Sequence, residues 1–327
     1  MVCFYPFNLK QLSYLFFENT NLALSNSYMT FRSMNGNYTL ALLQLNLNNR
    51  PENNLEKCLQ WIEKAASEGA GVICLPELYS SFYFCQKEDT RYFELAEPLH
   101  SASYKSFSAL AKKLQVVLII PFFEKRASGL YHNSACIIDA DGSEAGLYRK
   151  MHIPDDPAYY EKFYFTPGDL GFHAFNTRSG KIGTLICWDQ WFPEAARIVA
   201  LQGANVICYP TAIGWHPREK EKYGASQRDA WMTVQRGHAV ANGIYIASVN
   251  RVGLEQPEKN QAGIEFWGSS FIAGPQGEIL SQASVDKEEI VTATIDPSHL
   301  EKVRQNWPFF RDRRIDAYSD ILKRSID

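Results

Sequence analysis

Gly69-Ala70-Gly71-Val72-Ile73-Cys74-Leu75-Pro76-Glu77 and Gly203-Ala204-Asn205-Val206-Ile207-Cys208-Tyr209-Pro210-Thr211 are two nine-residue stretches that echo each other. Each follows a helical pattern, passes through a short apolar run and stops at a proline, as a strand buried on both faces does. Two such units predict two similar α/β halves facing each other across one core, with their strand ends converging. Around the first unit, Tyr38–Leu47 reads as a strand and 51–69 as a helix opened by Pro51, with apolar residues at Leu55, Cys58, Leu59, Ile62 and Ala65. Ser101–Leu114 follows as a helix and Val116–Pro121 as a strand, and Asn133–Ala140 pairs with Glu144–Tyr148 around Asp141-Gly142. Around the second, Lys181–Cys187 is a strand, Pro193–Leu201 a helix, Ala225–Ala241 a long helix and Ile244–Asn250 a strand. Phe266–Ala273 and Glu278–Gln282 read as a hairpin, Glu289–Ile295 as a last strand and Pro297–Gln305 as a last helix. This order predicts layers of helix, sheet, sheet and helix.

A chain of 327 residues corresponds to about two average domains, but α/β folds of this size also form one unit. No Gly/Ser-rich or Pro-rich linker divides the chain after residue 37, so residues 38–310 are expected to form one domain. Residues 1–37, rich in Asn and Ser, read as an N-terminal extension without the compact apolar run of a secretory signal. Residues 311–327 read as a charged and aromatic tail suited to a subunit contact. Lys and Arg number 33 against 36 Asp and Glu, a net charge of −3, which lacks the basic footprint of a nucleic-acid binder. No apolar run reaches the length of a membrane span. The seven cysteines are odd in number, scattered and free of any CxxC pair, a usage expected of a reducing, cytoplasmic compartment.

Three residues stand where strand ends would bring chemistry together. Cys187 lies between a buried strand and the helix opened by Pro193, where backbone N–H groups and a positive dipole end would lower the thiol pKa. The competing reading is a buried cysteine that only packs. Glu77 ends the first echoed strand, where burial would raise its pKa into the range of a general base; the alternative is a surface carboxylate opening a loop. Lys150 in Tyr148-Arg149-Lys150-Met151-His152 is, taken alone, a lysine in a basic doublet. His152, Asp155 and Asp156 could be mistaken for metal ligands, but no HxxxH or CxxC supports them, and no metal or other cofactor is expected. A papain-like pairing of Cys187 with His238 is a further alternative, with His238 inside a helical pattern.

Taken together, Leu75-Pro76-Glu77, Tyr148-Arg149-Lys150-Met151-His152 and Gly183-Thr184-Leu185-Ile186-Cys187-Trp188-Asp189 resemble, in order, the motifs of the carbon–nitrogen hydrolase (nitrilase) superfamily. The resemblance spans roughly residues 38–310 and implies a four-layer αββα sandwich, no metal and homo-oligomers. It makes Cys187 the nucleophile, Glu77 the base, Lys150 the cationic stabiliser and Glu161 a second glutamate that orients the others. The backbone N–H of Trp188 would help hold the oxyanion. Cys187-Trp188-Asp189-Gln190-Trp191-Phe192-Pro193-Glu194-Ala195-Ala196-Arg197, with Tyr209-Pro210-Thr211-Ala212-Ile213-Gly214, is similar to the branch of the superfamily that cleaves N-carbamoylputrescine.

The resemblance therefore implies a hydrolase of linear amides whose partner is a small N-carbamoyl amine. An N-carbamoyl acid such as β-ureidopropionate is the alternative substrate, and a non-enzymatic scaffold is disfavoured by the full set of Glu77, Lys150, Glu161 and Cys187. A carboxylate substrate calls for an arginine clamp, whereas a terminal ammonium calls for acids and aromatic faces. Asp155, Asp156, Tyr159, Glu194 and Trp215 are the candidates for the substrate pocket. In one respect the sequence departs from that branch: Trp215-His216-Pro217 follows Ala212-Ile213-Gly214 where Ser-Glu-Pro is common.

Overall fold

The computed structural model describes residues 36–258 and 262–326; the first thirty-five positions of the expected N-terminal extension lie outside the described residues. In chain order the elements are β1 (Tyr38–Gln44), α1 (Pro51–Ser67), β2 (Ala70–Cys74), α2 (Ala102–Leu114), β3 (Val117–Ala127), β4 (Leu130–Ile138) and β5 (Glu144–Arg149). A one-turn helix α3 (Glu161–Tyr164) and the strand β6 (Ala174–Thr177) lead to β7 (Gly180–Thr184), α4 (Pro193–Leu201), β8 (Val206–Pro210), β9 (Gly214–Trp215) and α5 (Lys220–Asn242). The chain ends with β10 (Tyr245–Val249), β11 (Val252–Glu255), β12 (Ile264–Trp267), β13 (Phe271–Ala273), β14 (Ile279–Gln282), β15 (Glu289–Ile295) and α6 (Pro297–Asn306).

Local chemistry accounts for the helix limits. Pro51 opens α1, which buries Asn54, Cys58, Ile62 and Ala65 at helical spacing. The Ser101 hydroxyl accepts from the Tyr104 N–H and caps α2. Gln115 stops that helix in the left-handed conformation, as a C-terminal residue often does.

The two large sheets repeat one plan. One sheet has the order β15-β1-β2-β3-β4-β5 and the other β14-β13-β10-β8-β7-β6. In the first, β1, β2 and β3 are parallel and β4 and β5 follow antiparallel. In the second, β7, β8 and β10 are parallel and β13 and β14 follow antiparallel. The echoed stretches are the central parallel strands β2 and β8 of the two halves. Leu42, Cys74, Ile119, Ile182, Cys208 and Ala247 belong to one buried cluster between the sheets, which extends to α4 and α5 through Val199 and Trp231. Cys58 and Ile62 of α1 and Phe107 of α2 pack with Ala41 and Ile73 on the outer face of the first sheet. The result is the four-layer αββα sandwich.

Two sequence expectations change. Phe266–Ala273 is not one strand, because Gly268 and Ser269 both take left-handed φ values, 49° and 56°. The kink separates β12, which pairs with β11 and β9 in a small third sheet, from β13, which makes the hairpin with β14. The strand expected at Val116–Pro121 instead runs on to Ala127. Its pairing with β2 ends at Ile119, so proline two residues later breaks no bond of that ladder. Beyond α6, residues 311–326 form turns and two short 3-10 helices, Ile315–Ala317 and Ser319–Leu322, that are almost entirely exposed. Among the described residues no helix is long and apolar enough to cross a membrane.

Candidate active site

Three strand ends and the start of one short helix bring the four charged or nucleophilic candidates to one place. Glu77 follows β2 past Pro76, Lys150 follows β5, Glu161 opens α3, and Cys187 lies just past β7. Glu77 and Lys150 have no exposed surface, Glu161 is 1% exposed and Cys187 5%. Lys150 Nζ donates to Glu77 Oε1 at 2.8 Å and to Glu161 Oε2 at 2.7 Å. The Asn133 amide donates to the same Glu77 oxygen at 2.7 Å, and the Tyr83 hydroxyl to Glu161 Oε1 at 2.7 Å. Among the described residues, Glu77 Oε2 is buried without a hydrogen-bond partner.

The backbone around this cluster is held from behind. Arg251, fully buried, donates to the Glu77 carbonyl at 2.8 and 3.1 Å and to the Leu78 carbonyl at 2.6 Å. Its charge is balanced by Glu255, paired at 2.9 Å, whose carboxylate also accepts from the Tyr83 N–H. Leu78 and Cys187 take positive φ values, 52° and 41°. Such values are uncommon for side chains with a Cβ and persist where surroundings over-determine them.

Electrostatics follow from burial. Burial works against the Lys150 charge, but the Glu161 and Glu77 carboxylates outweigh it and hold the ammonium well above its ordinary pKa. Burial raises the Glu161 carboxyl to about 7 against the opposing pull of Lys150. The Cys187 thiol is pushed well up, by burial first and by Glu77 second. This reverses the sequence expectation of a lowered thiol pKa. A tight turn, Cys187–Trp191, begins at the cysteine and separates it from α4, so Cys187 is not at the dipole end of that helix, and burial together with the Glu77 charge prevails.

A cavity of about 740 Å³ opens onto Cys187. Asp156, Tyr159, Glu161 and Trp188 line it, as do Trp191, Trp267, His216, Arg218 and Glu219. Asp155, Glu194 and Trp215, also expected at the pocket, are not among its lining residues. Asp155 and Glu194 are exposed elsewhere, and Trp215 turns its indole N–H to the Gly224 carbonyl at 2.9 Å. His238, the papain-like alternative, donates from Nε2 to the Gln190 carbonyl at 2.8 Å rather than to the sulfur. Among the described residues there is no group of three or more His, Cys, Asp or Glu able to hold a metal ion.

Sequence reasoning missed Asn133, Tyr83, Arg251, Arg218 and Glu219. For Glu219 a signal existed in the departure after Gly214, since an acid displaced by a few residues can reach the same mouth. Asn133 and Arg251 gave none, because an amide in a strand and an arginine after one are common surface residues until the sheets close over them.

A family model described as carbon-nitrogen hydrolase matches residues 39–305. The N-carbamoylputrescine amidase of Solanum tuberosum is 44% identical over 287 residues, 87% of this chain and 94% of that protein. A citrullinase of Francisella tularensis is 42% identical over 289 residues, 88% of this chain and 99% of that protein. The crystal structure of a carbon-nitrogen hydrolase from Helicobacter pylori superposes with a TM-score of 0.86 at 49% identity, covering 89% of this chain and all of that one. With this fold, these strand-end residues and a match over most of its length, the chain belongs to the carbon–nitrogen hydrolase family.

Proposed function

We propose that the chain hydrolyses the ureido group of N-carbamoylputrescine, releasing putrescine, CO2 and ammonia, with Cys187, Glu77, Lys150 and Glu161 as the working residues. A ureido carbonyl is a poor electrophile, so a strong nucleophile and an oxyanion site are both required. Cys187 Sγ attacks the carbonyl carbon while its proton passes to Glu77 Oε2, the carboxylate oxygen that has no hydrogen-bond partner among the described residues. Lys150 Nζ and the backbone N–H of Trp188 hold the oxyanion. Glu77 returns the proton to the departing ammonia, leaving a carbamoyl thioester on Cys187. Water then loses a proton to Glu77 and attacks that carbonyl; the thiol is regenerated, and the freed carbamate breaks down to CO2 and the amine. Glu161 keeps Lys150 aimed at the reacting oxygen. A thiol held neutral suits this scheme, because deprotonation and attack are coupled through Glu77.

The observation that carries the substrate reading is the lining of the cavity over Cys187. Asp156 and Glu219 offer carboxylates at its mouth, and Tyr159, Trp188, Trp191 and Trp267 supply aromatic walls, the combination that suits an alkyl-ammonium chain. The name of the Solanum relative supports the same substrate. A second reading, citrulline, is favoured by Arg218, which lines the mouth and makes no ion pair among the described residues; the Francisella relative's name points the same way.

Ammonia release from N-carbamoylputrescine, citrulline, β-ureidopropionate and N-butylurea, beside a Cys187→Ala control, tests both readings. N-Carbamoylputrescine is expected to exceed β-ureidopropionate and N-butylurea at least about tenfold in kcat/KM, the ratio that ~1.4 kcal/mol commands. Equal rates on the amine and the acid would overturn the diamine assignment.

We further propose that residues 38–310 form the catalytic unit, and that the protein works as a homo-oligomer in the cytoplasm. Exposed Ile198, Leu201 and Val240 on α4 and α5, with Trp307 and Ile321 toward the C-terminus, support a subunit contact. The described cysteines are all free, which supports a reducing compartment.

A further inference from the structure

Lys150 and Cys187 belong to different halves of the sandwich, yet the reaction needs the ammonium and the sulfur on the same carbonyl group. One buried carboxylate joins their two backbones. Asp189, two residues past Cys187, has no exposed surface. Its Oδ2 accepts from the Ile186 N–H at 2.9 Å, the residue immediately before the sulfur, and from the Tyr148 hydroxyl at 2.7 Å. Its Oδ1 accepts from the backbone N–H of His152 at 3.0 Å and lies 2.7 Å from His152 Nδ1. Tyr148 and His152 stand two residues before and two residues after Lys150. The four donors thus come from both flanks of the lysine and from the entry to the strained cysteine.

The His152 ring is itself clamped. It stacks on Phe192 with ring centroids 3.7 Å apart and planes 4° from parallel, and Phe172 lies 5.8 Å away on the same ring. The Tyr148 hydroxyl sits 3.4 Å from the Met151 N–H as well. A carboxylate accepts at both oxygens and offers no donor, so it satisfies all four bonds at once. An amide of the same shape has only one acceptor oxygen.

We propose that Asp189 is a positioning residue that sets the distance between Lys150 and Cys187 by binding the segments on either side of the lysine to the turn that carries the sulfur. This rests on the reading that Lys150 and Cys187 act on the same carbonyl. Misplacement of a reacting group by about 1 Å costs on the order of 100-fold in rate, so the carboxylate acts on turnover without touching substrate.

The test compares the full-length wild type with Asp189→Asn, Tyr148→Phe, His152→Phe (which keeps the stacked ring and removes the Nδ1 donor), the Tyr148→Phe/His152→Phe double variant and Cys187→Ala. Three quantities are measured: kcat and KM on N-carbamoylputrescine, the rate of Cys187 alkylation by iodoacetamide, and the folded fraction at the assay temperature. Asp189→Asn is expected to lose on the order of 100-fold in kcat per folded molecule, with KM changed less than about threefold and alkylation slowed. Tyr148→Phe and His152→Phe are each expected to lose several-fold in kcat, and their combination to deviate from the product of the two, since both bonds end on one carboxylate. Wild-type kcat per folded molecule in Asp189→Asn overturns the proposal. If that variant does not fold, wild-type kcat in the Tyr148→Phe/His152→Phe pair overturns it instead. An inactive Cys187→Ala beside a fully active Asp189→Asn removes this inference alone, whereas an active Cys187→Ala removes the reading beneath it too.

Discussion

Lys150 donates to Glu77 at 2.8 Å in a place where neither side chain has any exposed surface. With Glu161 at 2.7 Å on the other side, one ammonium bridges two buried carboxyl groups. Lys150→Met therefore has two expected effects. Turnover falls by more than about 100-fold, as expected on losing an oxyanion donor. Stability also falls by about 3–5 kcal/mol, because uncompensated carboxylates remain buried. Ammonia release and denaturant unfolding separate the two. Adding Glu161→Gln should recover part of the stability and none of the turnover, and near-normal turnover in Lys150→Met would refute its role.

Cys187 is expected to be the first of the described cysteines that iodoacetamide labels, since the cavity opens onto its sulfur. Burial and the Glu77 charge keep the thiol neutral, so the alkylation rate should keep climbing as pH is raised toward and beyond 9. Mass mapping that finds inactivation on another cysteine, or a rate already level below pH 8, contradicts this.

Glu161 provides a pH dependence with a definite sign. Its folded pKa of about 7 lies above the ordinary value of ~4.3. The folded chain therefore binds this proton more tightly than the unfolded chain. The contribution to stability is full below about 4.3 and is lost as pH rises through about 7. Activity should run the other way. Below pH 7 the neutral carboxyl no longer anchors Lys150, so kcat/KM falls with an apparent pKa that belongs to the whole cluster. Glu161→Gln should give a lower and flatter profile. A wild-type profile level from pH 5.5 to 8, measured by ammonia release, would be the contrary result.

Glu219 and Arg218 line the same mouth with opposite charge. Glu219→Gln is expected to raise KM for N-carbamoylputrescine about tenfold, the worth of one charge-assisted hydrogen bond of ~1.5 kcal/mol, while Arg218→Gln leaves it within about twofold. If citrulline is the better substrate, Arg218→Gln should weaken it most. Identical kinetics for both variants on both substrates would remove these residues from recognition.

A chain beginning at Met34 lacks only residues that precede the family match at 39. It is expected to fold and to keep wild-type kcat; an insoluble or inactive product would show that the preceding segment contributes to the catalytic unit.

The sandwich is legible in the sequence because its information is local and repeated. Cys74 and Cys208, at the same position of the two echoed stretches, do meet in one buried cluster between the sheets, and periodicity with proline stops was enough to place their strands. The helix limits at Pro51 and Pro193 were equally local, since proline suits a first helical position. Glu77 and Cys187 could be singled out because each follows a buried strand, whereas Lys150 and Glu161 stand out only through the family motifs. By contrast, Arg251 behind Glu77, Asn133 beside it and Asp189 between Lys150 and Cys187 depend on contacts between residues 37 to 174 positions apart. No periodicity encodes such contacts. The sign of the Cys187 pKa shift was also a tertiary matter: a strand-to-helix turn in isolation favours the thiolate, but the closed sheets exclude water and set a carboxylate beside it. Substrate charge belongs in the same class, because whether Asp156, Glu194 or Glu219 faces the cavity depends on how loops from both halves close over it. Secondary structure and chemical inventory are carried by neighbours along the chain, whereas burial, partner and protonation are set only when distant segments meet and desolvate one another.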